Sequence, residues 1–468
     1  MVTNNLYYVL VFGGTAIFCA GVVCLLRKPF YGLATSAVKQ LDIILDDSIN
    51  EVEKDRRILR NLWVLLKLLF ITIFVLGVLT MCAALPAYIY TSYPTNGKAD
   101  LSSFYFYLSM FLGSFSLLLF RKKGDYSYWS KLLHTLILDN YNLGKFLFER
   151  ATRHLKKDEY LAEKPFVIVT GLARSGTTAL TNLLFDEAVF HSISYANVPF
   201  LLAPNLWKKI YAPTTSKQKE RAHGDQVLFS ENSIEAFEEY FFKVFLNDNY
   251  IKEDCLLKHE IPEDVLVKYR MYQTLFKQNN TTIYLAKNNN FLLRYESMLK
   301  SDKMLKPIFI FRNPLDHAAS LLRQHENFLI RQKEDNFVLE YMNWLGHHEF
   351  GLNQKYFLFD NQFKKPKSNT SELSYWLAIW SDYYSYISEI SNTHKIYLVH
   401  YEDLLKKPDE LKRVLTFNLG IKLGNRSPEP FTPNPQVRKN MGEPDNNLLK
   451  KANAIYTNLM SKKITLSD

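Results

Sequence analysis

The first quarter of the chain carries three long apolar stretches separated by polar segments. They run from Leu6 to Leu26, from about Leu68 to Tyr90 and from about Phe104 to Phe120. The first two are uncharged over about 20 residues, which as a helix is long enough to cross the hydrocarbon core of a bilayer. The third is near the lower limit of length for a span. We therefore predict a membrane region with about three transmembrane helices over residues 1–120.

The basic residues around these stretches predict an orientation. No basic residue precedes the first stretch and no small-residue cleavage site follows it, so we interpret it as a retained span and not as a signal peptide. Lys and Arg near the ends of spans stay on the cytoplasmic side, and the segment near residues 91–103 has only Lys98. We expect everything after residue 120 to face the cytoplasm. The basic residues that support this are Arg27, Lys28, Lys39, Lys54, Arg56, Arg57, Arg60, Arg121, Lys122 and Lys123.

Short apolar runs alternate with helical patterns in the rest of the chain. Residues 121–163 have apolar positions at helical spacing and form a connecting helical segment, and residues 164–468 read as one domain. Strands that alternate with helices favour an α/β fold with a parallel sheet flanked by helices. The predicted strands are Phe166–Thr170, Thr282–Ala286, Pro307–Phe311 and Lys395–His400. The predicted helices are Ile234–Leu246, Pro262–Lys277, Leu315–Ile330, Leu373–Ile390 and Asp409–Leu419.

Composition narrows the partners of this domain. The chain has 57 Lys and Arg against 47 Asp and Glu, a net charge of +10, so we expect an anionic partner such as a nucleotide or lipid. The excess is spread along the chain and is partly explained by membrane orientation, so it does not predict nucleic-acid binding. The four cysteines show no metal-ligand spacing, and His347 and His348 lack a third ligand at useful spacing. We predict no metal site.

A glycine-containing turn joins an apolar strand to a helix within Lys164–Leu184 (KPFVIVTGLARSGTTALTNLL). Gly171 and Gly176 allow the backbone to approach a phosphate closely. The helix that begins near Thr177 turns the positive end of its dipole toward the same anion. We therefore predict a phosphate-binding loop with Arg174, Ser175, Gly176, Thr177 and Thr178 as ligands.

This loop differs from the loop of nucleoside triphosphatases. The glycine spacing is that of a Walker A motif, but that motif needs Lys directly after the second Gly, and Thr177 stands there. The strand Pro307–Phe311 is followed by Arg312 where a metal-binding Asp would be expected. A P-loop kinase or NTPase is therefore disfavoured and stays an alternative.

A second basic motif follows the strand Pro307–Phe311 in the stretch KPIFIFRNPLDHAASLL. The strand delivers Arg312 at its carboxyl end, and Ser320 follows eight residues later on a helix. Ligands of α/β sheets lie beyond the carboxyl ends of the strands, so these two side chains suit a second phosphate. A surface ion pair of Arg312 with Asp316 and a packing role for Ser320 are the alternative readings.

With these two motifs the chain resembles the sulfotransferase family that uses 3′-phosphoadenosine 5′-phosphosulfate (PAPS). The first motif is similar to the family's 5′-phosphosulfate loop, and Arg312 and Ser320 match its 3′-phosphate motif. The stretches TIYLAKNNNFLLR and IYLVHYEDLLKKPDELKRVLTFNLGI are also similar to the family, over roughly residues 164–440, and ERAHGD resembles a bacterial branch. The resemblance implies a PAPS sulfotransferase fold, PAPS as co-substrate without a metal, and Arg438 with Lys439 as a basic segment over the 3′-phosphate.

The resemblance implies in-line transfer of a sulfuryl group to an acceptor hydroxyl or amine. Arg174, the amides of residues 175–178 and Lys287 would stabilise the charge on the leaving phosphate. The family's usual base, a His after that Lys, is absent because Asn288 follows Lys287. His223 in ERAHGD is the first candidate for the base, since imidazole titrates near working pH. Its rivals are Glu235, Glu238 and Glu239.

We expect an integral membrane sulfotransferase whose catalytic domain is cytoplasmic, in a bacterial inner membrane. Spans hold the site near the bilayer, so a membrane-associated acceptor such as a glycolipid or a lipid-linked saccharide is the partner we expect beside the nucleotide. A non-catalytic membrane scaffold that retains the nucleotide fold is the other alternative, because the usual histidine is missing near Lys287.

Overall fold

The structure is a computed structural model that describes most of the chain. The described residues are 2–93, 101–116, 127–161, 164–211, 219–220, 228–229, 233–277, 281–360, 365–422 and 442–466. They form two compact units, residues 1–143 and 144–468. The division falls inside the segment that we predicted to connect the membrane region to the domain.

The first unit is helical. Helix α1 (Val2–Gly21) continues through a π-helical turn (Val22–Leu26) into α2 (Arg27–Ile44), and α3 (Glu51–Ser92), α4 (Phe104–Phe115) and α5 (Tyr128–Leu138) follow. Helix α6 (Tyr141–Thr152) begins in this unit and continues past residue 143 into the second. Among the described residues, two helical stretches, Asn5–Ile44 and Glu51–Ser92, are long and apolar enough to cross a membrane. They contain the first two predicted spans, which confirms an apolar helical N-terminal region. The third prediction falls on α4, which has only 12 residues, and residues 117–120 lie outside the described part.

The apolar part of α3 is almost unburied. Only 6% of its most apolar window is buried inside the protein, whereas the core helix of a water-soluble protein is mostly buried. Large side chains such as Phe70 and Met81 are exposed. Exposed apolar patches of this extent are typical of surfaces that meet lipid or another protein. The length, composition and exposure of α3 are those of a helix that could cross a membrane.

The second unit is built on a five-stranded sheet in which every pair of neighbours is parallel. The strand order is β2–β6–β1–β7–β9, where β1 is Phe166–Thr170, β2 is Phe190–His191, β6 is Ile283–Lys287, β7 is Leu305–Phe311 and β9 is Tyr397–His400. Two small sheets pair β3 (Lys219–Glu220) with β4 (Leu228–Phe229) and β5 (Cys255–Leu257) with β8 (Tyr356–Leu358). The predicted parallel α/β sheet is confirmed.

Helices surround this sheet. They are α7 (Lys157–Tyr160), α8 (Thr177–Leu184), α9 (Pro204–Trp207), α10 (Glu239–Phe245), α11 (Glu263–Leu275), α12 (Tyr295–Ser301), α13 (Pro314–Glu334), α14 (Asn336–Trp344), α15 (Leu373–Thr393), α16 (Tyr401–Lys406), α17 (Pro408–Leu419) and α18 (Asn446–Lys462). Short 3₁₀ turns are Tyr195–Asn197, Phe291–Arg294 and Gly351–Asn353. The central strand β1 is buried along its whole length, and its neighbours β6 and β7 are buried at all but one residue each, because helices cover the sheet.

One predicted helix begins later than its pattern indicated. The helix predicted over Ile234–Leu246 starts at Glu239. Its first residues are not helical, because Ile234 forms an antiparallel bridge with Ser194. Glu235 therefore lies in a loop and does not share a helix face with Glu239.

Candidate functional site

The two phosphate motifs and the predicted lysine meet at one edge of the sheet. Strands β1, β6 and β7 are neighbours, with Val169 beside Lys287 and Thr170 beside Phe309. Because the three strands are parallel, their carboxyl ends lie at the same edge. The loop after β1, the end of β6 and Arg312 after β7 therefore come together, where ligands of open α/β sheets bind.

Two glycines of the loop have no room for a side chain. A Cβ atom at Gly171 would lie 2.6 Å from the carbonyl oxygen of Ile310. Gly176 has φ +104°, and a Cβ there would lie 2.6 Å from the ring of Tyr401. The close approach of Ile310 and Tyr401 therefore requires glycine at both positions, just before α8 begins at Thr177. The first amides of a helix have no acceptor within the helix, so here they form a cradle suited to an anion.

Arg174 links the loop to the second motif. Its φ is +69°, a left-handed conformation that costs a residue other than glycine about 1–2 kcal/mol. Its Nε atom donates to Ser320 Oγ at 3.5 Å. The left-handed backbone of Arg174 and its hydrogen bond to Ser320 place the guanidinium between the loop and α13. The structure therefore joins two predicted residues that the sequence could assign only to separate motifs.

Arg312 is fixed at the start of α13. Its guanidinium carbon lies 4.6 Å from the centre of the Tyr401 ring, and its Nε is buried without a hydrogen-bond partner among the described residues. Asn313 caps α13 by accepting hydrogen bonds from the amides of Leu315 and Asp316 at 3.1 and 3.2 Å. A buried donor without a partner is costly, so this site is ready for an acceptor such as a phosphate oxygen.

Lys287 contacts both the loop and an acid. Its Nζ donates to Thr178 Oγ1 at 2.8 Å and forms an ion pair with Glu235. The side chains of Lys287 and Glu235 are each 8% exposed. A nearly buried ion pair beside an anion cradle gives the edge of the sheet a cation and a carboxylate in contact. A carboxylate can accept a proton from a reacting group, and a cation can stabilise negative charge that develops on another.

The other two predicted glutamates have different partners. Glu239 accepts hydrogen bonds from Arg294 at 2.7 and 2.6 Å and from Tyr250. Burial raises the pKa of Glu239, but the charge and hydrogen bonds of Arg294 outweigh it and hold the pKa below its ordinary value. Its carboxylate is thus occupied by a buried cation.

Glu238 is completely buried and bonds to the segment after Lys287. Burial raises the pKa of Glu238 to about 7, although hydrogen bonds from Tyr269 and Asn288 lower it. The Asn288 bond is 3.0 Å long. Glu238 therefore lies behind the strand end, and Glu235 is the one of the three that contacts Lys287.

Three predicted site residues lie outside the described part of the chain. They are His223, the first candidate for the base, and Arg438 with Lys439, the candidate cover of the 3′-phosphate. Over the described ranges, no group of three or more His, Cys, Asp or Glu residues could hold a metal ion.

The sequence reasoning missed two residues beside the loop. Asn289 Oδ1 accepts from Thr177 Oγ1 at 3.5 Å, and Asn289 Nδ2 donates to Glu349 at 3.1 Å. Tyr401 packs against both Gly176 and Arg312. Both had a signal, because Asn289 lies two residues after Lys287 and Tyr401 directly follows the predicted strand Lys395–His400.

A separate cleft opens at the opposite, amino edge of the sheet. It is lined by the first residues of β1 and β6 and by Lys164, Arg270 and Lys277. Arg270 is paired with Asp302 at 2.5 Å, and Glu159 brings a carboxylate into the same cleft. None of the predicted phosphate ligands lines this cleft, so the carboxyl edge is the candidate site.

Most of the second unit matches a known protein family. Residues 164–464 match the family model described as sulfotransferase domain. No curated protein matches the chain.

Three sulfotransferase crystal structures are similar to the chain at low identity. One from Mycobacterium tuberculosis H37Rv is 13% identical, with a TM-score of 0.38, over 63% of this chain and 77% of that one. One from Alicyclobacillus acidocaldarius is 14% identical, with a TM-score of 0.30, over 64% and 94%. One from Mycobacterium avium is 14% identical, with a TM-score of 0.29, over 72% and 86%. Because the family model covers well over half of the sequence, the chain belongs to the sulfotransferase domain family.

Proposed function

We propose that the protein transfers a sulfuryl group from PAPS to a hydroxyl or amine of a membrane-associated acceptor. The observation that carries the proposal is the meeting of Arg174 with Ser320 and of Lys287 with Thr178 at one edge of the sheet. These contacts support the proposal because they join the predicted anion loop, the predicted second phosphate motif and a nearly buried lysine–glutamate pair.

The donor site divides into two parts. The amides of residues 175–178 and Arg174 would hold the 5′-phosphosulfate, because the start of α8 offers amides without acceptors in the helix and the positive end of its dipole. Arg312 and Ser320 would hold the 3′-phosphate, since the buried Nε of Arg312 lacks a partner among the described residues. Forked guanidinium groups suit phosphate oxygens at both positions.

The transfer breaks one sulfur–oxygen bond of the donor and forms a sulfur–oxygen or sulfur–nitrogen bond to the acceptor. The acceptor oxygen or nitrogen bonds to sulfur as the bond from sulfur to the 5′-phosphate oxygen breaks, and that electron pair stays on the phosphate. We assign Lys287 to the developing charge on the leaving oxygen, with Arg174 beside it. Arg does not readily give up a proton, so Lys287 is the better proton donor to the leaving group.

We assign the base to Glu235. Its ion pair with Lys287 puts its carboxylate next to the group that serves the leaving oxygen, and the sequence around the strand end, Lys287 to Arg294, contains no histidine. Glu235 would take the proton of the acceptor as the new bond forms. Glu239 is less suited, because Arg294 and Tyr250 already use both of its oxygens.

The first experiment is a calorimetric titration of the full, detergent-solubilised chain. Adenosine 3′,5′-bisphosphate is expected to bind the wild type, and the double variant Arg312→Ala with Ser320→Ala is expected to lose that binding. Arg331→Ala is the control, because it removes a cation that lies about 16 Å from Ser320 along the axis of the same helix. ATP with magnesium is titrated in parallel. Binding of ATP with magnesium but not of the bisphosphate would indicate a kinase or NTPase, and binding of neither by folded protein would indicate a scaffold.

The acceptor and the membrane location need their own test. We propose that the chain crosses a bacterial inner membrane three times, through the two long apolar helices and the apolar stretch of residues 104–120. With three spans, the basic segment after the first span and the basic residues 121–123 all face the cytoplasm, as does the transferase domain. Wild-type protein with ³⁵S-labelled PAPS is incubated with a lipid extract from a host that lacks the gene and, separately, with small soluble alcohols. Label in a glycolipid or lipid-linked saccharide supports the proposed acceptor. Label confined to soluble alcohols contradicts it.

A further inference from the structure

A histidine joins the helix of the second phosphate motif to the phosphate loop. His317 lies on α13 between Arg312 and Ser320 and is fully buried. Its Nε2 atom lies 2.7 Å from the carbonyl oxygen of Ala173. That carbonyl belongs to the peptide bond between Ala173 and Arg174. Neither phosphate motif, as predicted from sequence, has a role for His317.

The partner of His317 determines its tautomer. A carbonyl oxygen only accepts hydrogen bonds, so Nε2 must carry the proton and donate it. The other ring nitrogen, Nδ1, is buried without a partner among the described residues and is therefore unprotonated. Burial above all, together with the positive charges of Arg312 and Arg174, lowers the pKa of His317 to about 3, although the bond to Ala173 acts in the opposite direction. The imidazole is thus a neutral donor at physiological pH.

The hydrogen bond acts on a strained part of the backbone. Arg174, the residue after the bonded carbonyl, has the left-handed φ of +69°, which residues other than glycine rarely adopt. Such a conformation persists only where surrounding contacts determine it. Helix α13 supplies two such contacts, His317 to the carbonyl of Ala173 and Ser320 to the side chain of Arg174. The helix therefore holds this arginine from both its backbone and its side chain.

A packing role alone does not require histidine at this position. The ring centre of His317 lies 6.0 Å from that of Tyr384, a contact that an apolar side chain would also make. An apolar residue cannot donate to the carbonyl of Ala173, a residue that is itself buried. The geometry thus separates a packing function from a hydrogen-bonding function.

We propose that His317 is a positioning residue that holds the Ala173–Arg174 peptide so that the Arg174 guanidinium meets the 5′ end of the nucleotide. The inference rests on the proposed donor site. It predicts that His317 matters for ligands with a 5′-phosphate and not for ligands with only a 3′-phosphate. A general role in stability would weaken both kinds of ligand equally.

The test compares two nucleotides on the full chain in detergent. Dissociation constants of adenosine 3′,5′-bisphosphate and adenosine 3′-monophosphate are measured for wild type, His317→Leu and His317→Gln. We expect His317→Leu to weaken the binding of the bisphosphate by on the order of tenfold. The dissociation constant of the monophosphate should stay within about threefold of the wild-type value. His317→Gln is expected to stay near wild type for both, because its amide nitrogen has the same number of bonds from Cβ as Nε2 and also donates. His317→Met is a second apolar variant that adapts to irregular space.

A double-mutant cycle tests whether the histidine acts through Arg174. In an Arg174→Ala background, adding His317→Leu should not change the affinity for the bisphosphate further. Equal weakening of both nucleotides, or a full additional loss in the Arg174→Ala background, would overturn the inference. So would failure of both apolar variants to fold while His317→Gln folds, since that marks a structural role. If wild type itself does not bind the bisphosphate, the proposed function fails. If wild type binds and the variants do not discriminate, only the inference fails.

Discussion

The Nε atom of Arg174 lies 3.5 Å from the Oγ atom of Ser320, although the two residues are 146 positions apart in the chain. One residue belongs to the loop after β1 and the other to the helix after β7, and these strands are neighbours in the sheet. The contact makes the two predicted phosphate motifs parts of one candidate site. A change in either motif is therefore expected to affect the other, which double-mutant cycles detect as non-additivity.

Glu235→Gln is expected to abolish most of the sulfuryl transfer without abolishing nucleotide binding. Its carboxylate is the group that contacts Lys287. Because loss of a general base typically lowers the rate by about 10²–10⁴, we expect a loss of about that size here. Transfer of ³⁵S from PAPS to the lipid extract measures the rate, and titration with adenosine 3′,5′-bisphosphate measures binding. Glu326→Gln is the matched control, because that glutamate is exposed on α13. Wild-type transfer by Glu235→Gln would remove Glu235 from the mechanism.

Lys287→Met is expected to lower stability as well as transfer. It leaves Glu235 nearly buried without its cation, and breaking a buried ion pair by removing one partner costs about 3–5 kcal/mol. The double variant Lys287→Met with Glu235→Gln has no unpaired charge and should recover most of the melting temperature but no activity. Melting temperatures in detergent check the first statement and ³⁵S transfer the second. A double variant as unstable as Lys287→Met alone would argue against the ion pair as the cause.

Gly176→Ala is expected to weaken the binding of adenosine 3′,5′-bisphosphate by about tenfold or more. The new Cβ would meet the Tyr401 ring at 2.6 Å in a backbone with φ +104°, so the cradle and the aromatic neighbour of Arg312 must both shift. Gly420→Ala is the matched control, because Gly420 also has a positive φ, +68°, but a Cβ added there would meet no atom within 4 Å. Equal effects of the two changes on nucleotide affinity would mean that backbone strain, and not the cradle, is what matters.

Sequence patterns were sufficient for four of the five strands of the main sheet and for the two motifs. Apolar runs and glycine positions are local signals, and they located β1 and the strands that end at Lys287 and before Arg312. Strands β2, β3, β4, β5 and β8 were missed, because two or three residues carry no periodicity. The patterns also could not rank the three glutamates. Arg294, which occupies Glu239, is 55 residues away, and the bridge of Ile234 to Ser194 that places Glu235 in a loop is equally non-local.

Glu239 is expected to act on stability and not on chemistry. It forms a two-bond ion pair with the completely buried Arg294, so Arg294→Met should destabilise the protein by about 3–5 kcal/mol. Because the pKa of Glu239 is lowered in the folded protein, its contribution is present above the ordinary value of 4.5 and is lost as the pH falls through the folded pKa. Melting temperatures between pH 3 and pH 7 check this, with Glu239→Gln expected to flatten the acid limb. A Glu239→Gln variant with wild-type stability but no transfer would reverse the assignment and make Glu239 the base.

Glu238 is expected to give the opposite pH dependence. Its pKa is raised from 4.5 to about 7, mainly by burial, so the folded state binds the proton more tightly than the unfolded state does. Its contribution to stability is complete below pH 4.5 and is lost as the pH rises through about 7. Since each pKa unit corresponds to about 1.4 kcal/mol, the loss is roughly 3 kcal/mol. Glu238→Gln keeps a neutral side chain at every pH, so it should gain stability relative to wild type between pH 5 and pH 8. Parallel melting curves that keep a constant separation over this range would show that Glu238 does not titrate there.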